Sequence, residues 1–234
     1  MIAMNARGNG CGFAQVVALL AVVNVFVSVA DAPISRAEPS KPIRIVAFGD
    51  SLTAGYGLRP RSAFPVQLQK ALKARGHDVV VVNAGVSGDT TAGGLERLAW
   101  AVPDGTDAVI VELGANDALR GIDPKVTHAN LDKIVASLKE RGMPILLTGM
   151  RSPANWGDNY SDDFDAIFPD LAREHGLIFY PFFLEGVVLN PKLNLDDGMH
   201  PTSKGVAKIV KQIIPSVEEL IDRASSQRAS ASKG

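Results

Sequence analysis

Cysteine is almost absent from this chain. Among 234 residues there is one, Cys11, so no intramolecular disulfide can form and no Cys-based metal site can be built. An excess of charge of either sign is also missing. The 24 Lys and Arg stand against 25 Asp and Glu, for a formal net charge of −1. Neither sign gathers in a long run, and nothing argues for a nucleic-acid partner. No Gly-x-x-x-x-Gly-Lys-Ser/Thr segment is present to cradle phosphates, and no Gly-x-Gly-x-x-Gly opens a helix after the first strand. The four histidines are isolated from one another, so no metal-ligand cluster is legible and no cofactor is expected. No internal repeat recurs at a fixed period.

What is present divides the chain into four parts. Arg7 supplies a positive start, Ala14 to Val27 is an apolar stretch broken by Gln15 and Asn24, and Ser28-Val29-Ala30 ends it with small residues. Residues 1–30 therefore read as a signal peptide. The run is too short and too interrupted for a membrane span, which needs about 20 apolar residues. Cys11 precedes the apolar run, where a lipidated cysteine should follow it. Cleavage after Ala30 leaves a chain with no cysteine and no stable membrane anchor, suited to a periplasmic or secreted location. Residues 31–42, with three prolines and several charges, read as a linker. A single domain is expected over 43–223, and the Ser-, Ala- and Lys/Arg-rich stretch 224–234 is expected to be disordered. A monomer is expected.

Within the domain, strand-like and helix-like patterns alternate. Strands are predicted over Ile43 to Phe48, Val79 to Ala84, Ala108 to Leu113, Ile145 to Thr148 and Leu177 to Tyr180. Helices are predicted over Phe64 to Arg75, Thr90 to Val102, Pro124 to Arg141, about Asp162 to Glu174, and from about Thr202 onward, with Pro215 kinking or dividing the last. The strands are continuous apolar runs, the signature of burial on both faces. Five such units specify an α/β fold, a three-layer α/β/α sandwich around five parallel strands with right-handed crossovers.

Four short blocks carry the chemistry: Phe48-Gly49-Asp50-Ser51-Leu52-Thr53, Ser87-Gly88-Asp89-Thr90, Gly114-Ala115-Asn116-Asp117 and Asp197-Gly198-Met199-His200. The first three close apolar strands, so Ser51, Gly88 and Asn116 border the crevice where open parallel sheets bind ligands. Small residues after Ser51 would leave its hydroxyl accessible. Serine needs a base, and the base needs an orienting group. His77 and His175 stand at helix exits beside Gly76 and Gly176, and His128 lies among charged neighbours in a helix. His200 instead follows the last strand, three residues after Asp197, close enough for the carboxylate to hold the imidazole. The backbone N–H groups of Ser51 and Gly88 and the amide of Asn116 are candidate donors to a developing oxyanion. There is no Gly-x-Ser-x-Gly elbow, so α/β-hydrolase geometry does not apply.

The blocks GDSLTAGYG, NAGVSGDTT, VELGANDALRG and DDGMHP resemble the four signature blocks of SGNH (GDSL) hydrolases, and RSPANWG and YPFFLEGV resemble the branch of bacterial periplasmic multifunctional thioesterase I/lysophospholipase/arylesterases. The likeness spans Ile43 to about Ile214. It implies Ser51 as nucleophile, Asp197 and His200 as the rest of a triad, and Ser51, Gly88 and Asn116 as the oxyanion hole, with Gly85 a rival to Gly88. It further implies a flavodoxin-like sheet order, no metal, a mobile loop from Ala118 to Asp123, and substrate contacts at Ala118, Leu119, Ser152, Pro153 and Trp156. Ser152 departs from the pattern, because an apolar residue often precedes that Pro-Ala-Asn segment in the long-chain thioesterases.

The expected activity is hydrolysis of a small-molecule ester, thioester or lysophospholipid. A carbohydrate O-deacetylase would share every catalytic residue, and a non-catalytic binding module would have lost one. Phe64, Trp156, Tyr160, Phe182, Phe183 and Leu184 are candidates for an apolar cleft wall, core packing being their alternative.

Overall fold

The computed structural model describes residues 41–231. The expected signal peptide and residues 31–40 of the expected linker lie outside the described residues. The order of elements is β1 (Ile43–Gly49), α1 (Ser51–Ala54), α2 (Phe64–Ala74), β2 (Val79–Gly85), α3 (Thr91–Ala101), β3 (Ala108–Glu112), α4 (Ala115–Leu119), α5 (Pro124–Glu140), β4 (Ile145–Thr148), α6 (Asp158–His175), β5 (Ile178–Tyr180) and α7 (Ser203–Ala231). Single 3₁₀ turns at Pro60–Ser62 and Ala154–Trp156 complete it.

All strand pairings in the sheet are parallel, in the order β2-β1-β3-β4-β5, the flavodoxin-like order that the family resemblance implies. The chain steps outward from β1 to β2 and then back across to β3. With right-handed crossovers, that reversal puts α2 on one face and α3, α5 and α6 on the other. The packing agrees, since α7 lies along α2 while α3, α5 and α6 form a contiguous row. The strand order reverses between β1 and β3, and that switch point opens a crevice at the carboxyl ends of the strands.

Burial explains the pattern. Ile45 to Phe48 of β1 and Ala108 to Val111 of β3 are sealed on both faces by helices, as continuous apolar strands require. Phe48, Phe64, Phe164, Phe168 and Phe183 are among the largest fully buried side chains, each contributing about 1.5–3 kcal/mol relative to exposure. Phe64 meets Phe183 edge-on at 5.0 Å. This corrects part of the expected cleft wall: Phe64, Phe182 and Phe183 belong to the core.

One expectation about the last helix is narrowed and another corrected. Pro215 lies inside a single helix and does not divide it, because packing of Ile213, Ile214, Val217 and Leu220 carries the helix past the missing N–H. Residues 224–231, expected to be disordered, continue α7. Ala224 is buried, and Arg228 donates to the carbonyls of Lys41 (2.6 Å) and Pro42 (2.9 Å) and ion-pairs with Asp107. Asp107 in turn accepts the N–H of Arg44 at 2.7 Å. The helix end is thereby tied to the start of β1.

Arg228→Ala removes charge-assisted hydrogen bonds to a mostly buried carboxylate, each worth about 1.5–3 kcal/mol, from a domain where 1 kcal/mol is about 2–4 °C. Its melting temperature is expected to fall by at least about 5 °C; an unchanged Tm would show that α7 is held without this anchor.

Candidate active site

The end of β1 is shaped by a glycine that cannot be replaced. A Cβ on Gly49 would sit 2.3 Å from Thr53 Oγ1 and 2.5 Å from Glu112 Oε2. The next residue, Asp50, caps α1 by accepting the N–H of Leu52 at 2.9 Å. Ser51 is thus the first helical residue, and its own N–H is one of the donors that a helix start leaves without an intrahelical partner. Gly55 closes the short helix in the left-handed region, φ 85°.

A continuous hydrogen-bonded chain runs from this serine. Ser51 Oγ is 2.9 Å from His200 Nε2, and His200 Nδ1 is 2.6 Å from Asp197 Oδ2. The other Asp197 oxygen accepts the N–H groups of Met199 and His200, both at 2.9 Å. Burial works to raise the Asp197 carboxyl, but the His200 N–H, the imidazole and the Met199 N–H outweigh it and bring it down to about 2. An ionised Asp197 puts the imidazole proton on Nδ1, so Nε2 is the lone pair that accepts from the Ser51 hydroxyl. The loop is cinched by Leu195 N–H to His200 C=O at 2.7 Å and by a bridge between Asn194 and Pro201. Tyr56 lies over the imidazole, 4.4 Å between ring centres.

The sheet register brings the other two candidates beside Ser51. Gly49 pairs with Gly85 on one side and with Glu112 on the other, so Gly88 and Asn116 leave strands adjacent to β1. Gly88 has φ 87°, and among the described residues nothing accepts its N–H. The rival Gly85 gives its N–H to Asn83 Oδ1 at 3.0 Å and is packed against the Ala54 backbone. Asn116 Nδ2 donates one hydrogen to Asp50 Oδ2 at 3.0 Å, leaving the other for a ligand. Its neighbour Asp117, buried, accepts from the backbone and hydroxyl of Thr91 (2.8 and 2.6 Å) and from Thr127 Oγ1 (3.3 Å). That binds α4 to α3 and α5.

Three residues beneath this surface were not singled out from the sequence. Arg97 of α3, itself buried, reaches the Gly49 carbonyl and the Ala84 carbonyl, each at 2.8 Å, and Asp89 at 2.5 Å, and lies 4.3 Å over Phe48. One guanidinium therefore links the strand before Ser51, the strand before Gly88 and the residue after Gly88. Glu112 is fully buried, accepts from Thr53 Oγ1 at 2.7 Å, and leaves Oε1 without a partner. Burial, then the neighbouring Asp50 charge, push its carboxyl well above the usual carboxylate range. Burial likewise raises Asp50 to about 6, against the Leu52 and Asn116 hydrogen bonds. A charged residue ending the apolar run Ala-Val-Ile-Val-Glu was the available signal for Glu112, and Asp50 lies inside the first block. Arg97 falls in an ordinary amphipathic helix.

The candidate substrate contacts separate. Ala118 is buried in the core, and its carbonyl accepts the Trp156 indole N–H at 2.7 Å. Leu119 and Trp156 are half-exposed. The segment after Asn116 is pinned further by Tyr160 OH to the Ile122 carbonyl at 2.8 Å and Arg120 to the Gly88 carbonyl at 2.8 Å. Ser152 does not stand free: its Oγ is 2.8 Å from Ser161 Oγ and its N–H donates to Asp165 at 2.9 Å. Pro153 precedes the 3₁₀ turn that presents Trp156. His77 and His175 pair with Glu218 and Asp132, at 2.9 and 2.7 Å. Among the described residues no three His, Cys, Asp or Glu side chains gather as a metal site.

Comparison with known proteins follows the same lines. A profile of the GDSL-like Lipase/Acylhydrolase family matches residues 47–208. An arylesterase of Vibrio mimicus is 42% identical over 173 residues, 72% of this chain and 86% of its own. The thioesterase 1/protease 1/lysophospholipase L1 of Escherichia coli (strain K12) is 37% identical over 182 residues, 77% of this chain and 86% of its own. Among solved structures, TesA matches with a TM-score of 0.72 at 35% identity, covering 76% of this chain and 99% of that one. AlinE4, an SGNH-hydrolase family esterase, matches at 0.66 and 44%, covering 78% and 98%.

The raised Asp50 carboxyl has a pH signature. Its unfolded form loses a proton near 3.8 and its folded form near 6, so between those values the unfolded chain binds fewer protons and stability declines as pH rises. Asp50→Asn lacks this dependence. The difference in Tm, variant minus wild type, is expected to grow more positive from pH 4 to pH 7; a constant difference would show that Asp50 titrates normally.

Proposed function

Because the chain belongs to the GDSL-like lipase/acylhydrolase family and is a carboxylic-ester hydrolase, we propose that it works as a Ser51–His200–Asp197 serine esterase on small aryl and short-to-medium acyl esters, with thioester and lysophospholipid turnover. The observation that carries this reading is the chain of hydrogen bonds from Ser51 Oγ to His200 to an Asp197 held ionised.

The Ser51 oxygen attacks the ester carbonyl as His200 Nε2 takes the hydroxyl proton, and the Asp197 carboxylate stabilises the imidazolium. The negative charge formed on the carbonyl oxygen meets the N–H groups of Ser51 and Gly88 and the second Asn116 hydrogen. These donors are fixed beforehand by the α1 start, the Arg97 linkage and the Asp50–Asn116 bond. Collapse expels an alcohol, phenol or thiol protonated by His200 and leaves an acyl group on Ser51. Water, activated by the same imidazole, releases the acid. Tyr56 on the His200 side and Trp156 and Leu119 beyond Asn116 offer apolar surface to the acyl or aryl group. The Ser152 hydroxyl, held to Ser161, adds no apolar wall for a long chain.

The same reading makes the protein exported, with residues 1–30 removed; N-terminal sequencing of the protein recovered from the periplasm or medium checks it, and an intact apolar run 14–27 would contradict it. Ser51→Ala is expected to abolish ester turnover with an unchanged Tm. Asn116→Ala is expected to lower kcat by about 10²–10³, the effect of losing one oxyanion donor, with a smaller change in KM. Wild-type rates in Ser51→Ala would end the serine mechanism. Equal losses of turnover and of affinity for an unreactive analogue would make Asn116 a binding residue only.

A further inference from the structure

The net charge of −1 conceals a strongly polarised surface. From Ser51 to His77 there is no Asp or Glu, while Arg59, Arg61, Lys70, Lys73 and Arg75 are all present. From Gly198 to Val217 there is again none, against Lys204, Lys208 and Lys211. The first stretch forms α1, the 3₁₀ turn at Pro60–Ser62 and α2, the second the first half of α7, and α2 and α7 pack side by side. All of these cations are exposed except Lys208, which is half-buried and donates to the Gly186 carbonyl at 2.6 Å. Among the described residues, the carboxylate that ion-pairs within this group is Glu218, on Arg75 at 2.7 Å. The opposite layer has the reverse sign. Helix α6 carries Asp158, Asp162, Asp163, Asp165, Asp170 and Glu174 against Arg173.

The basic face is also apolar and adjoins the catalytic groups. Between α2 and α7 runs a groove of about 540 Å³ lined by Val66, Ala71, Ala207 and Val210, with Arg61, Lys70 and Lys211 along it. Gln67, also in its lining, donates to the carbonyls of Ser62 (2.8 Å) and Ser203 (3.1 Å), and Ser203 is three residues beyond His200. The segment 186–193 packs on the first turns of α7, with Gly205 lying against the Leu193 carbonyl. It presents Leu189 at 84% exposure and φ 60°. A leucine held in the left-handed region with its side chain in water is costly twice over, in strain and in exposed apolar area. Neither cost serves the interior.

We propose that this face docks the enzyme on an anionic lipid surface, its cations against phosphate headgroups and Leu189 and Val66 in the interfacial layer. The acidic α6 then turns away from the surface, and the mouth beside His200 borders it. Among the described residues no helix is long and apolar enough to cross a membrane, and the docking proposed is by this face alone. Cations set among exposed aliphatic side chains match a layer of phosphate headgroups over acyl chains. The proposal does not depend on which esters Ser51 cleaves.

Co-sedimentation of the isolated protein with vesicles tests it, comparing phosphatidylcholine alone with an equal mixture of phosphatidylcholine and phosphatidylglycerol at low and high salt. Binding is expected only to the mixture, weakened by salt. Each cation near such a surface is worth about fivefold, so Lys70→Gln/Lys204→Gln/Lys211→Gln together should lose on the order of a hundredfold in partitioning. Leu189→Ser should weaken the binding that survives at high salt. Both variants should hydrolyse soluble p-nitrophenyl acetate as the wild type does, which separates docking from catalysis. Equal binding to both vesicle types, or wild-type partitioning by the triple variant, would overturn the proposal. So would binding of soluble polyglutamate with none to vesicles, which would give the face to an acidic protein.

Discussion

The carbonyls of Gly49 and Ala84 and the carboxylate of Asp89 all meet the buried guanidinium of Arg97, and the geometry of the cleft depends on that meeting. Strand ends are where backbone acceptors run out of partners, and a buried acceptor without one costs about 1–3 kcal/mol. A planar cation with five donors can satisfy several at once. In doing so it sets the strand leading to Ser51 against the loop carrying Gly88. On the other side of β1, Asp50 performs the matching task, capping α1 while holding the Asn116 amide. Nothing about the serine itself is unusual; its surroundings are fixed before any ligand arrives.

The α/β class and the five parallel strands were legible because burial on both faces leaves strands as unbroken apolar runs, and the predicted strand limits agree with β1 to β5 to within a residue; the strand order came only from the family resemblance. The residues of the candidate site were legible for a related reason. Ser51, Gly88 and Asn116 follow strand ends, and Asp197 and His200 share one tight loop. What could not be read was whatever depends on contacts distant in sequence. The stretch 224–231 has the composition of a solvated tail, and only Arg228 reaching Asp107, 121 residues away, makes it the end of a helix. Phe64, Phe182 and Phe183 could line a cleft or fill a core equally well on composition, and the packing of α2 against the segment after β5 put them inside. Asp50 and Glu112 were in plain view within the blocks, yet their roles come from burial, which a sequence does not display.

Charge gave the least warning. Lysines and arginines spaced around α2 and α7 never form a run, and the aspartates of α6 cancel them in any sum. Only when the two helices are laid side by side does the basic face appear, next to the loop that carries His200.

The central claim is that Ser51 is the nucleophile and His200 its base. Incubation with a p-nitrophenyl alkylphosphonate, followed by peptide mass spectrometry, tests it most directly, because the reagent traps the attacking oxygen as a covalent adduct. One phosphonyl group per chain is expected, on the peptide containing Ser51, formed rapidly by wild type and not by His200→Ala. Label on another residue, or labelling of Ser51 at the same rate without His200, would contradict it.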